Sequence, residues 1–242
     1  EVCSFSKNKT FKSFKYKYKI NFFKTDFNLF STPISFKMII FLTKNVSKFD
    51  YIHIHKPNPW PTIILYFLKT KKIIISWGSD IVSQKYTKFF FNLFQKSLLN
   101  RAHKIICLSK TYKNSSSDLK KYKKKIKVIP PIITSQVYKK KIKKNKNFNI
   151  ISIGRLVEYK SFNTAIEAMN YLPSNFNLTI IGNGNLYDRL NNLIIENKLK
   201  KRVKILRNIN EIKKINLMKK SDLYLMCSNS RAESFGISIL EA

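Results

Sequence analysis

The sequence predicts an α/β protein built as two doubly wound parallel-sheet domains that face a cleft. Three observations carry that expectation. From residue 50 onward, short apolar runs rich in β-branched residues alternate with longer stretches whose apolar residues recur at helical spacing. The rhythm breaks at 130–147, "PPIITSQVYKKKIKKNKN", where two prolines lead into a lysine-rich polar run. It then resumes and continues to the last residue. Continuous apolar strands suit a parallel sheet covered on both faces, and strand–helix alternation is how such a sheet is wound. The expected organisation is a first domain at 1–133, a linker at 134–147 and a second domain at 148–242.

Each element follows from its residues. "YIHIH" (51–55), "KIIIS" (72–76), "KIICLS" (104–109) and "IKVIP" (126–130) read as strands. Between them, "PTIILYFLKT" (61–70) reads as a helix with proline in its first turn. "KYTKFFFNLFQKSLLNRAH" (85–103) and "TYKNSSSDLKKY" (111–122) read as helices too. In the second domain the expected strands are 148–154, 176–182, 202–206 and 222–228, and the helices 162–172, 186–198 and 210–220. A last helix opens in "ESFGISILEA" (233–242).

Composition bounds the function. A hydrophobic fraction of 44% supports a real core. Three scattered cysteines with no C-x-x-C pair suggest neither a disulfide framework nor a zinc site, and fit a reducing compartment. No apolar run reaches the length that spans a bilayer. The opening "EVCSFSKNKT" does not resemble a signal peptide, and residue 1 is not Met, so the chain is expected to be cut at its front. Its net charge of +34 would attract phosphates, nucleic acid or anionic lipid. Yet arginine occurs only at 101, 155, 189, 202, 207 and 231. Nucleic-acid readers lean on the arginine fork, so no nucleic-acid partner is expected. A compositional bias toward solvated lysines explains the charge as well as an anionic membrane surface does.

Chemistry concentrates at strand ends in the second domain. Glu233 and Glu241 bracket a helix start, with Gly236 allowing close approach of a ligand to the backbone. Free N–H groups there would favour an anion. In an unbroken helix the two backbones would lie roughly 12 Å apart. That is wide for a glycosidase pair, and it suits two separate hydroxyl-bearing groups such as the sugar and ribose of a nucleotide sugar. Spacing alone favours a plainer alternative, a helix-start acid followed by a solvated one. In "GRLVEYKSF" (154–162), Gly154 ends a strand, and Arg155 and Lys160 could neutralise a diphosphate. "IIGNGN" (180–185) places Gly182 in a second turn at a strand end, without dinucleotide spacing. His53 and His55 are read as alternating along their strand and so facing opposite sides, with His55 near the cleft.

These stretches and their order resemble a GT-B glycosyltransferase of family 4. "ISIGRLVEYKSFNTAIEAM", "LTIIGNGNLYDRL" and "KSDLYLMCSNSRAESFGISILEA" look like its donor half, with Glu233 and Glu241 fitting its E-x7-E motif. "FDYIHIHKPNPW" (49–60), "IISWGSDIVSQK" (74–85), "LNRAHKIICLSKTY" (99–112) and "KVIPPII" (127–133) look like its acceptor half. The resemblance implies two Rossmann-like domains, the second incomplete, and missing segments at both ends. It implies a retaining, metal-independent transferase with no cofactor, using a nucleotide-diphosphate sugar as donor and a glycan or lipid-linked acceptor. By the same resemblance Arg155 and Lys160 hold the diphosphate, and Glu233, Phe235 and Gly236 contact the donor sugar. Gly154, Gly182 and Ile237 line the donor site, and Glu241 binds ribose hydroxyls. His55 and Asp80 fall on the acceptor side. The implied setting is cytoplasmic, peripheral at the inner membrane face, in cell-surface polysaccharide or lipopolysaccharide synthesis.

The chain departs from that pattern in three places. Trp77-Gly78-Ser79-Asp80 lacks the family's histidine, Ser161 replaces a glycine, and Pro131-Ile132 replaces another. A catalytically impaired GT-B module, a basic protein that binds nucleic acid or a membrane surface, and a sugar epimerase are the competing readings.

Overall fold

Alternating aromatic and lysine residues near the start, and β-branched runs after residue 50, give the first half of the chain three sheets. The computed structural model describes every residue except 8, 16–17, 30–31, 69, 71, 81–84, 133–146, 231 and 234, with the side chains of 13–15, 29 and 85–90 also undescribed. The expected linker therefore lies outside the described residues apart from Asn147. The chain divides into two units, Glu1–Pro130 and Pro131–Ala242.

The first unit opens with strands β1 (Val2–Ser6), β2 (Phe11–Lys15) and β3 (Tyr18–Lys24). β3 is central, parallel to β1 and antiparallel to β2. The cross-strand partners Phe11 and Phe22 stack at 4.5 Å. A hairpin follows, β4 (Phe27–Leu29) with β5 (Thr32–Ile34), and then helix α1 (Phe36–Asn45), whose Met38 N–H is capped by Ser35. The sequence pattern before residue 50 had suggested none of these elements.

Beyond them lies the expected parallel sheet: β6 (Tyr51–Lys56), β7 (Lys72–Trp77), β8 (Ala102–Cys107) and β9 (Ile126–Val128), in that spatial order. Its connections carry α2 (Pro59–Phe67), α3 (Lys85–Arg101) and α4 (Lys110–Ser115). Ile73, Ile75 and Trp77 of β7 are almost fully buried with Leu65, Leu98 and Leu99 of the helices. Arg101 fixes the end of α2 by donating to the carbonyls of Leu65 (2.5 Å) and Leu68 (2.7 Å), groups that a helix end leaves without internal partners. The single helix expected at 111–122 is broken. Ser109 caps α4 through the Tyr112 N–H, and Ser116 turns its hydroxyl to Asp80 instead of continuing the helix.

In the second unit, β10 (Phe148–Ile153), β11 (Phe176–Ile181), β12 (Val203–Leu206) and β13 (Leu223–Tyr224) form one parallel sheet in the order β12-β11-β10-β13. Helices α5 (Phe162–Ala168), α6 (Tyr187–Glu196) and α7 (Glu211–Lys219) connect them, and α8 (Ile237–Glu241) follows β13. The chain builds outward from β10, then returns to its other side. That reversal is the doubly wound pattern, and ligands in such sheets bind beyond the carboxyl ends of the two strands that flank it. Arg202 repeats the role of Arg101, donating to the carbonyls of Met169, Leu172 and Phe176. β13 pairs only at Leu223–Tyr224 rather than over 222–228. Leu225 still donates to Ile151, after which the backbone turns away toward Tyr159.

Candidate functional site

The two loops at the reversal point carry the residues singled out in the sequence. One follows β10 and runs from Gly154 to Lys160; the other follows β13 and ends at α8. They are tied together by the backbone bond from Asn229 to the Tyr159 carbonyl, 3.1 Å. A third loop, after β11, lies hard against the first. A Cβ on Gly182 would overlap the Gly154 carbonyl oxygen, so only glycine fits there.

Lys160 and Glu233 meet at this point, 73 positions apart in sequence. The Lys160 ammonium forms an ion pair with Glu233 Oε2, and both side chains are largely shielded, at 11% and 18% exposure. Gly154 leaves room for that lysine: a Cβ there would stand 3.1 Å from Lys160 Cε. The other oxygen of Glu233 accepts the Gly236 N–H at 3.0 Å. Arg155 is exposed and donates to the Tyr159 hydroxyl at 3.0 Å, with its guanidinium 5.9 Å from that ring. Lys160 lies over the same ring at 5.7 Å. The two cations expected to face a diphosphate are therefore arranged around one tyrosine that sequence reasoning passed over.

Behind them, the Tyr224 hydroxyl shares a hydrogen bond with the Ser238 hydroxyl at 2.6 Å and lies 3.3 Å from the Ile153 carbonyl oxygen. Burial raises its pKa, and Lys160 and Glu233 act on it with opposite signs. Glu241 is held by Lys214, 3.0 Å away. Lys214 gave no signal in a sequence where lysine is everywhere. Phe235 is half-buried, Gly236 is buried at φ 72°, and Ile237 is exposed. Gly236 sits in the left-handed region just ahead of α8, which begins at Ile237. The expectation of free N–H groups there is corrected at Gly236, whose N–H already serves Glu233. The 12 Å estimate for an unbroken helix likewise does not apply.

The remaining candidates lie in the first unit. His53 and His55 are two residues apart on β6 and therefore share one face; the expectation of opposite faces is wrong. Their rings stand 4.6 Å apart, and both residues are exposed. His53 Nε2 bonds Ser76 at 2.8 Å, and its pKa is lowered by burial and by the neighbouring His55. Asp80 is buried, and its Oδ1 accepts from Trp77 Nε1 (2.9 Å) and Ser116 (2.8 Å). Its N–H donates to the Tyr112 hydroxyl at 2.5 Å. Among the described residues no group of three His, Cys, Asp or Glu is placed to hold a metal. No helix among them is long and apolar enough to cross a membrane.

Two α/β units with parallel sheets have the fold of the GT-B glycosyltransferases. The chain belongs to Glycosyltransferase Family 4, whose family model matches residues 2–136. The model for Glycosyl transferases group 1 matches residues 134–242. Among curated proteins it is 24% identical to D-rhamnosyltransferase WbpZ of Pseudomonas aeruginosa, over 90% of this chain and 59% of that protein. It is 26% identical to O-antigen chain mannosyltransferase C of Escherichia coli, over 100% of this chain and 67% of that one. The chain thus spans about six-tenths to two thirds of the length of these relatives. Among solved structures, Anabaena Alr3699/HepE in complex with UDP-glucose matches with a TM-score of 0.70 at 17% identity, covering 92% of this chain and 64% of that one. A mutant of S. aureus TarM, in complex with Fondaparinux, alpha-GlcNAc-glycerol and UDP, matches with a TM-score of 0.64 at 15% identity, over 84% of this chain and 42% of that one. At such identities the structural likeness establishes the fold.

Proposed function

We propose that the chain belongs to a retaining, metal-independent hexosyltransferase that moves a sugar from a nucleotide-diphosphate sugar to a glycan or lipid-linked acceptor. The setting would be cell-surface polysaccharide or lipopolysaccharide synthesis, in the cytoplasm at the inner face of the membrane, with peripheral contact to anionic lipid. The observation that carries the reading is the meeting of Lys160 with Glu233 beyond the carboxyl ends of β10 and β13. Relatives named for rhamnosyl and O-antigen mannosyl transfer support it, as do similar folds solved with UDP and UDP-glucose.

In this reading Arg155 and Lys160 offset the charge that develops on the departing diphosphate, a site where fixed cations contribute most. Lys160 turns from Glu233 toward phosphate as the donor enters. Glu233 then accepts from sugar hydroxyls while its second oxygen stays on the Gly236 N–H. Glu241, steadied by Lys214, accepts from the ribose. Gly154, Gly182, Phe235, Gly236 and Ile237 line the donor. On the acceptor side, His55 offers an exposed imidazole, and Asp80 braces the loop after β7 through Trp77 and Ser116.

A second reading is favoured by one observation. Trp77 stands in the stretch where the family has histidine, and it is 1% exposed with its N–H given to Asp80. A GT-B module that binds nucleotide without turnover fits that feature.

The test is calorimetric titration of the chain with UDP and with GDP, beside Glu241→Ala and Lys160→Met. Saturable binding, weakened about tenfold or more in each variant, is the expected result and identifies the base. A folded chain that binds neither nucleotide would overturn the donor-site assignment. Binding without release of nucleotide from any supplied nucleotide sugar would favour the module.

A further inference from the structure

Leu93, Lys96 and Asn100 of α3 lie along one helical stripe and are all exposed, while Gln95, Leu98 and Leu99 on the other side are buried. Next to the stripe, the end of α2 presents Tyr66 and Phe67. The Tyr66 ring meets those of Phe67 and Phe94 edge-on at 5.0 Å each. Phe67 is 72% exposed and Leu93 63% exposed. Large apolar side chains clustered in water at this exposure mark an interaction surface.

The charge around the cluster says what it meets. Residues 51–130 hold 17 lysines and arginines against two carboxylates, Asp80 and Asp118. Asp80 is buried on Trp77 and Ser116, and Asp118 is half-buried and accepts from Gln95 at 3.2 Å. The densest cationic stretch, Lys120–Lys125, is attached to α3 itself. Lys125 donates to the Asn100 carbonyl at 2.6 Å, at the end of the same exposed stripe. An apolar aromatic tip on a strongly cationic stretch of chain has the chemistry of a contact with anionic lipid: rings enter the headgroup boundary while ammonium groups meet phosphate.

We infer that the surface formed by Tyr66, Phe67, Leu93 and Phe94, with Lys96 and the Lys120–Lys125 turn beside it, docks the protein on an anionic bilayer. The inference rests on the membrane-side part of the proposed function and names the surface that performs it.

The experiment is co-sedimentation of the intact chain with vesicles of phosphatidylcholine alone and of phosphatidylcholine mixed with phosphatidylglycerol. The Phe67→Ser/Leu93→Ser variant runs in parallel. Both positions are exposed, and UDP titration of the variant reports separately on the donor site. The expected result is binding to the anionic vesicles only, weakened by salt and reduced about tenfold or more in the variant. If the variant binds anionic vesicles as well as the parent does, this surface is not the contact, and the membrane reading survives. If the parent ignores anionic vesicles while still binding nucleotide, both the surface and the membrane reading fall, and the transferase reading stands. Displacement of the chain from vesicles by single-stranded RNA at equal phosphate, with the variant losing RNA affinity in step, would reassign the surface to nucleic acid.

Discussion

Lys214 and Glu241 stand 3.0 Å apart, joining the middle of α7 to the end of α8. The same ammonium is 2.6 Å from Glu211, and its side chain is 16% exposed. Burial pulls its pKa down, but the bonds to Glu211 and Glu241 outweigh that and leave it raised. Glu241 is therefore oriented before any ligand arrives, and an oriented group loses less freedom on binding. Lys214→Met is expected to weaken nucleoside diphosphate binding about fivefold, in line with the loss of one partly shielded ion pair. Its effect should fall on KM rather than kcat, and Lys214→Arg should restore most of it. Unchanged affinity in Lys214→Met would show that Glu241 holds its place without the lysine.

Ser161 occupies the left-handed region at φ 49° and ψ 42°, between a short turn and α5. A side chain there crowds the following carbonyl, at about 1 kcal/mol. The glycine that the family pattern places here would have no such clash. Ser161→Gly is expected to raise the stability of the second unit by roughly 0.5–1 kcal/mol, read from urea midpoints at constant slope. A lower midpoint would mean that interactions of the Ser161 hydroxyl outweigh the backbone strain.

Lys56 is 5% exposed, with its ammonium 4.4 Å from the Phe91 ring and 5.6 Å from the Trp77 ring. Its hydrogen bond to Thr62 is long, at 3.4 Å, and Asp118 is the carboxylate that acts on it through space. Burial lowers its pKa from 10.5 to about 7. Between those values the unfolded chain binds the extra proton, so stability rises with pH across that window. Below about 7 the fold carries the full penalty of a buried cation. Lys56→Met should stabilise the protein at pH 6 by roughly 2–4 kcal/mol and flatten the rise above pH 7. Chemical denaturation of both proteins across that range isolates this lysine from the many exposed ones. An identical pH slope in the two would sink the assignment.

Much of the architecture was legible because the second unit keeps a strict rhythm of apolar run and amphipathic stretch. β10, β11 and β12, with α5, α6 and α7, fall within a few residues of expectation. The early strands escaped notice because β2 and β3 interleave lysine with aromatic residues, and strands of that kind hide in a lysine-rich background. α8 starts later than expected, with Gly236 at positive φ just ahead of it. At the candidate site the residue types were readable and their pairing was not. Nothing in the sequence says that Lys160 spans 73 positions to Glu233, or that Lys214, among dozens of lysines, is the one that meets Glu241.

Arg101 and Arg202 each gather two or three carbonyls with one planar fork, a geometry that a single ammonium on a flexible stem does not reproduce. In a chain where nearly every cation is lysine, these two arginines mark places where shape matters as well as charge. Efforts to make the protein easier to handle by lowering its net charge of +34 can be confined to exposed lysines such as Lys200 and Lys201, away from the surface inferred to meet lipid. The arginines should be left as they are, since neutralising those two would loosen a helix end in each half of the molecule.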